Sequence, residues 1–62
     1  MYKRLKKIRK ELDMTQQEFA DGIGIARGNI SAYEVGKNAP SDAVISLICT
    51  KYNVNENWLR TG

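Results

Sequence analysis

The sequence contains no histidine, one cysteine and one proline among its 62 residues. A lone cysteine excludes an internal disulfide, and without histidine a structural zinc site has few ligands to draw on. We therefore expect no metal, no cofactor and a fold held together by apolar packing alone. A chain this short buries only about 60% of its unfolded surface, which predicts a single small domain over residues 1–62.

Long apolar runs are absent as well. No stretch approaches the roughly 20 residues of a membrane-spanning helix, and the charged start "MYKRLKKIRKEL" is not followed by the apolar segment of a secretory signal. Together with one unpaired cysteine, this predicts a cytoplasmic protein without a membrane partner or an evident small-molecule ligand. Since a glycine-framed nucleophile and a phosphate loop are also missing, we do not expect an enzyme.

Positive charge is present but unevenly distributed. The net charge is +3, and six of the ten cations lie in the first ten positions, whereas the acids are spread from Glu11 to Glu56. A lopsided basic domain suggests a polyanionic partner, nucleic acid first and an anionic membrane surface second. A solvated helix face explains the same pattern equally well. The six cations are Lys3, Arg4, Lys6, Lys7, Arg9 and Lys10.

Apolar residues recur at three- and four-residue steps along the chain, which predicts helices throughout and no sheet. The first helix is predicted from Tyr2 to Leu12. The second opens after Thr15, whose hydroxyl can form a capping box with Glu18. Gly24 stands where a left-handed residue would end that helix and reverse the chain. The inward residues of the first helix are expected to be Leu5, Ile8 and Leu12.

The second half of the chain predicts three more helices. One runs from about Ala26 to Glu34, and the loop "VGKNAPS" follows it. Ser41 then caps a fourth helix that ends at Asn53, and Asn55 caps a short last one. The fold class is therefore all-α, a compact bundle of five short helices. We expect the fourth and fifth helices to bury Val44, Leu47, Ile48, Tyr52, Trp58 and Leu59.

The second and third helices, joined by about four residues that include glycine, form a helix-turn-helix. In that motif the second helix lies in the major groove of DNA, while the first crosses the phosphate backbone. Arg27 can bond to guanine O6 and N7, and Asn29 can pair with adenine or a phosphate. Gln16, in the first turn of the second helix, can donate to a phosphate and steady Arg27. The expected base-facing residues are Arg27, Gly28, Asn29, Ser31 and Ala32.

The stretch "TQQEFADGIGIARGNISAYEVGKNAP" resembles the lambda-repressor-like, or XRE, helix-turn-helix family. The likeness continues through "Tyr52-Asn53-Val54" to the "NWLRTG" ending, which is typical of phage-type repressors. It implies five helices and sequence-specific binding of a double-stranded DNA operator, usually as a homodimer, in transcriptional regulation. For an isolated domain this small, a monomer in solution remains an alternative.

The resemblance also implies roles for individual residues. Gln16 falls at the position that clamps a phosphate, and Arg9 and Glu34 match a pair that forms a structural ion pair in relatives. The sequence departs from the family at Ala26, where a capping Ser or Thr is common, and at Gly28, which removes a side chain from a reading position. The candidate phosphate-contacting residues are Thr15, Gln16, Gln17, Tyr33, Lys37 and Asn38.

Two other functions are compatible with parts of the sequence. The same fold serves as a protein-interaction module in antitoxins and in regulators whose main partner is another protein. An uncovered hydrophobic patch would favour that interpretation. A basic amphipathic helix lying on an anionic membrane is a third option, but it uses the first helix alone and leaves most of the chain unexplained.

Overall fold

A computed structural model describes residues 2–61, so Met1 and Gly62, the last residue of the "NWLRTG" motif, lie outside the described residues. Residues 2–61 form five α-helices and no strand, which confirms the predicted all-α architecture. The helices are α1 (Tyr2–Glu11), α2 (Gln16–Ile23), α3 (Arg27–Glu34), α4 (Asp42–Tyr52) and α5 (Glu56–Thr61).

Helix beginnings follow the predicted capping residues. The Oγ1 atom of Thr15 accepts from the backbone N–H of Glu18 at 3.1 Å, and the Glu18 side chain accepts from the N–H of Thr15 at 2.8 Å. Ser41 and Asn55 accept in the same way from backbone N–H groups at the start of α4 and α5. Ala26 precedes α3 and makes no side-chain cap. Local hydrogen bonding therefore sets where three of the helices begin.

Left-handed residues mark the ends of α2 and α4, at the two positions predicted to end these helices. Gly24 ends α2 with φ of 75°, and its N–H donates to the carbonyl oxygens of Ala20 and Asp21. Asn53 ends α4 with φ of 56°. Asp13 adopts the same φ of 56° in the link between α1 and α2. The left-handed turn at Gly24 leads the chain from α2 into α3 after only three residues.

The core is formed by nine buried apolar residues from all five helices. Two predicted core positions are wrong: Leu47 is 48% exposed and Leu12 is 43% exposed. Helix α1 ends at Glu11, which places Leu12 beyond the packed face. Helix α4 buries Ile45 in place of Leu47. The buried residues are Leu5, Ile8, Phe19, Ala20, Ile23, Ile30, Ile45, Ile48 and Leu59.

The prediction for Trp58 is correct only in part. Leu59 is fully buried, whereas Trp58 is half-buried at the rim of the core. The guanidinium carbon of Arg4 lies 5.7 Å from the centre of the indole ring, a distance at which a cation is attracted to the ring face. Trp58 therefore joins α5 to α1 at the surface of the bundle and leaves the centre to smaller apolar side chains.

Helices α2 and α4 meet through two stacked aromatic rings. The rings of Phe19 and Tyr52 lie 4.5 Å apart, centre to centre, with 18° between their planes. The Tyr52 hydroxyl donates to the backbone carbonyl of Phe19 at 3.0 Å, and burial raises the pKa of that hydroxyl. A Cβ atom at Gly22 would overlap the same hydroxyl. Glycine is therefore needed inside α2 because the Tyr52 phenol occupies the space of a side chain.

Candidate nucleic-acid interface

The solvent face of α3 is the first component of the candidate interface. Ile30 and Glu34 form the buried side of this helix. The outer side carries the predicted base-facing residues, of which Arg27, Gly28 and Asn29 are exposed while Ser31 and Ala32 are half-buried. A Cβ atom at Gly28 would meet nothing within 4 Å. The exposed part of this face therefore carries little side-chain bulk. Arg27 and Asn29 are the two exposed polar side chains among the predicted base-facing residues.

The start of α2 is the second component. The capping box occupies the N–H groups of Thr15 and Glu18, and the N–H of Phe19 donates to the Thr15 carbonyl. Among residues 2–61, the backbone N–H groups of Gln16 and Gln17 have no acceptor. Free N–H groups and the partial positive charge of a helix N-terminus attract an anion. The geometry therefore suits a phosphate at this point.

Three side chains from three parts of the chain meet at the base of this helix. Glu34 accepts from Arg9 twice, at 2.7 Å from Nε and at 3.0 Å from Nη2. Gln16 donates from Nε2 to Oε1 of the same carboxylate at 3.2 Å. Arg9 also donates from Nη1 to the Met14 carbonyl at 2.9 Å. The network ties α1 to the start of α2 and to the end of α3.

The Arg9–Glu34 pair is largely removed from solvent, with 12% and 2% of the side chains exposed. The hydrogen bonds to Glu34 raise the pKa of the Arg9 guanidinium above its ordinary value. The expected contact between Gln16 and Arg27 is not among the hydrogen bonds of residues 2–61, since Gln16 is directed to Glu34. Sequence reasoning missed this bond because the partners are 18 positions apart and no local motif relates them.

The loop after α3 contains two of the predicted phosphate-contacting residues, Lys37 and Asn38. The backbone N–H groups of Gly36 to Asn38 are already used: Gly36 donates to the Tyr33 carbonyl, and Lys37 and Asn38 both donate to the Ala32 carbonyl. At these three positions, the exposed side chains of Lys37 and Asn38 are the donors that remain available. Any phosphate contact made by these three residues would therefore use the side chains of Lys37 and Asn38.

The remaining predicted phosphate contacts are arranged differently from one another. Gln17 donates from its amide to Asp21 at 2.8 Å, so its side chain lies along α2. Tyr33 is half-buried and packs against the core. Among residues 2–61, the cations in ion pairs are Arg9 and Arg60, which leaves Arg27 and Lys37 without an acidic partner. These two therefore carry uncompensated charge near the candidate interface.

Two further properties concern residues 2–61 as a whole. No group of three or more Cys, Asp or Glu side chains within this range is arranged to hold a metal ion. None of the described helices has the length and apolar character needed to cross a membrane.

Comparison with known proteins places this geometry in a family. A family model described as "Helix-turn-helix" matches residues 5–59. Antitoxin PezA of Streptococcus pneumoniae is 45% identical over 53 residues, 86% of this chain and 34% of that protein. The uncharacterized HTH-type transcriptional regulator YqaE of Bacillus subtilis is 38% identical over 58 residues, 94% of this chain and 50% of that protein. The cryptic phage CTXphi transcriptional repressor RstR of Vibrio cholerae is 31% identical over 51 residues, 82% of this chain and 46% of that protein.

The chain thus spans between 34% and 50% of the length of these three relatives. No solved structure matches it. The family match includes α2, the turn at Gly24 and α3, which form the helix-turn-helix described above. The resemblance seen in the sequence is confirmed, and the chain belongs to the XRE-type, lambda-repressor-like helix-turn-helix family.

Proposed function

We propose that the chain is the DNA-binding part of a transcriptional regulator, most similar to a phage or prophage repressor, that binds a duplex operator in the cytoplasm. The observation that carries the proposal is the open outer face of α3 within a family-matched helix-turn-helix. Relatives named as transcriptional regulators, one of them a phage repressor, support it. Regulation of this kind requires no catalytic step, because a protein bound to the operator can by itself block or recruit polymerase.

In the proposed complex, α3 enters the major groove and α2 crosses the phosphate backbone. Arg27 donates to a guanine edge, Asn29 and Ser31 flank it, and Ala32 contacts a thymine methyl group. The missing side chain at Gly28 lets the helix backbone approach the bases closely. With few long side chains on this face, DNA shape contributes part of the specificity.

Phosphates are held around this reading surface. The free N–H groups at the start of α2 and the amide of Gln16 bind one phosphate, and Thr15 and Gln17 lie beside it. The side chains of Lys37 and Asn38 bind another, and the Tyr33 hydroxyl is a further candidate donor. These contacts fix the register of the protein on DNA and carry no sequence information themselves. We further propose a homodimer on a two-fold symmetric operator, with each copy reading one half-site.

A protein-interaction module is the second candidate function. It is favoured by the 45% identity to the antitoxin PezA over most of this chain. Large apolar side chains are also exposed to solvent, among them Val35 at 69%, Leu47 at 48% and Leu12 at 43%.

The first experiment is affinity selection from a random duplex pool, followed by anisotropy titration of the winner and a scrambled control across a salt series. We expect a two-fold symmetric winner bound at least about a thousandfold more tightly than the control. A preference of about tenfold or less with a steep salt slope would reduce the DNA interaction to general attraction of phosphates. That outcome would favour the second candidate function, a protein-interaction module, over operator binding.

A further inference from the structure

We infer that Glu34, a carboxylate on the buried side of α3, is a positioning residue that fixes the Gln16 amide as a hydrogen-bond donor to phosphate. The inference rests on the proposed function and assigns to Glu34 more than the structural pairing with Arg9. It follows from the contact between Gln16 Nε2 and Glu34 Oε1, which are 3.2 Å apart.

The orientation of the Gln16 amide is decided by the group it faces. A carboxamide has an acceptor end and a donor end, and the donor nitrogen carries two hydrogens. An ionised carboxylate only accepts, so Glu34 binds the nitrogen end and excludes the reverse orientation. One N–H is used by Glu34, and the second remains available. Without Glu34, the amide could equally present its oxygen, which would repel a phosphate.

The position of Gln16 gives this orientation a use. Gln16 is the first residue of α2, and its backbone N–H and that of Gln17 have no acceptor within residues 2–61. A side-chain donor fixed beside two backbone donors forms a small anion site at the positive end of a helix. Holding the amide before DNA arrives also lowers the cost of ordering a flexible side chain on binding.

Arg9 makes a negative residue acceptable at this place. Its guanidinium binds both carboxylate oxygens of Glu34 and is held in turn by the Met14 carbonyl at 2.9 Å. The negative charge is therefore compensated within the network, and an approaching phosphate does not meet a free carboxylate. Arg9 orients Glu34, Glu34 orients Gln16, and Gln16 contacts the phosphate.

The test separates this role from a purely structural one by a double-mutant cycle on DNA affinity. One arm is Gln16→Ala. The other replaces the buried pair together, by Arg9→Met and Glu34→Leu, because apolar replacement of a whole buried ion pair is often neutral for stability and leaves the net charge unchanged. Anisotropy titrations use the selected duplex and a random duplex, at a temperature where circular dichroism shows every variant folded.

Gln16→Ala is expected to weaken binding to both duplexes by the same factor. Replacing the pair should weaken binding about two- to tenfold more when Gln16 is present than in the Gln16→Ala background, the range expected for one hydrogen bond. The control replaces the exposed pair Glu56–Arg60 by Glu56→Gln and Arg60→Gln, which also leaves the net charge unchanged. It should show no coupling to Gln16.

Equal losses in the two backgrounds would overturn the inference and leave Glu34 with a structural role alone. If the parent chain binds no duplex specifically, the proposed function fails and the inference fails with it. If the replaced pair does not fold, the parent protein still provides a test by the NMR signals of the Gln16 side-chain amide. On titration with the duplex, one Nε2 proton should keep its shift and the other should move downfield. Two unmoved protons would contradict the inference.

Discussion

Gly22 and Gly28 both lie inside helices, and they face opposite surroundings. A Cβ atom at Gly22 would overlap the Tyr52 hydroxyl between α2 and α4, whereas at Gly28 it would meet nothing within 4 Å. Glycine inside a helix costs about 1 kcal/mol relative to alanine. At Gly22 the aromatic packing of Tyr52 offsets that cost. At Gly28 no contact within residues 2–61 offsets the cost, so a use for this glycine has to come from a binding partner.

Arg9 and Arg27 differ in the same way: Arg9 lies on the packed side of the bundle, and Arg27 lies on the outer face of α3. Arg9 is held by Glu34 and by the Met14 carbonyl on the packed side of the bundle. Arg27 is exposed on the outer face of α3 and has no acidic partner among residues 2–61. Substitutions on the packed side should therefore change the free energy of unfolding, and substitutions on the outer face should change DNA affinity.

The largest effect is expected for Arg9→Ala. It leaves the carboxylate of Glu34, which is 2% exposed, without its charged partner, and removing one member of a buried pair costs roughly 3–5 kcal/mol of unfolding free energy. Chemical denaturation followed by circular dichroism measures the loss. The exposed neighbour Lys10 is the matched control, and Lys10→Ala should change stability by no more than about 0.5 kcal/mol. Similar losses for the two variants would show that the pair does not stabilise the fold.

Gly22→Ala should be the next largest, with a loss of about 1–3 kcal/mol from overpacking against the Tyr52 phenol. The hydroxyl is the atom most in the way, so Tyr52→Phe provides the control background. In that background Gly22→Ala should lose less stability, because the closest atom is removed, the ring carbon Cζ stays 3.2 Å from the Cβ position, and alanine favours the helix. An equal loss in both backgrounds would place the strain elsewhere. Thermal unfolding of the four proteins gives the comparison.

The difference between the two sides also explains what could be predicted from the sequence. The caps at Thr15, Gly24 and Asn53 depend on residues at most four positions away, so local patterns identified them correctly. On α4 the prediction is correct for Ile48 and wrong for Leu47, because apolar residues lie on more than one side of this helix and periodicity does not distinguish Ile45 from Leu47. Contacts between distant positions have no local signature at all.

Two contacts illustrate that limit. Neither the Gln16–Glu34 bond nor the approach of Tyr52 to Gly22 is signalled by a nearby residue. In the sequence, Gly22 is only a poor helix residue, and its use becomes visible once α4 is packed on α2. Both Trp58 and Leu59 are predicted to be buried, but in the short α5 only Leu59 is fully buried and Trp58 is half-buried. The roles of the outer residues toward DNA remain predictions, since they depend on a partner.

Arg27→Ala tests the outer face directly. We expect binding to the selected duplex to weaken by about 1–3 kcal/mol, with relaxed base preference at one position, because a bidentate contact to guanine is lost. Stability should change by no more than about 0.5 kcal/mol, since Arg27 is exposed and has no acidic partner among residues 2–61. Lys37→Ala is the comparison: a phosphate contact should weaken selected and random duplexes alike. If Arg27→Ala does the same, Arg27 is a phosphate ligand.

The smallest of the main expected effects, opposite in sign to that of Gly22→Ala, belongs to Gly28→Ala. Because a Cβ atom there meets nothing within 4 Å, alanine should raise the free energy of unfolding by about 0.5–1 kcal/mol through its better helix propensity. If the helix backbone at Gly28 approaches the bases, the same added methyl group should weaken binding to the selected duplex more than to a random one. Denaturation and anisotropy on one protein sample measure both changes. A gain in stability with unchanged affinity would remove Gly28 from the interface, whereas a gain in stability with loss of the selected site would show that glycine at this position serves DNA binding at the expense of the fold.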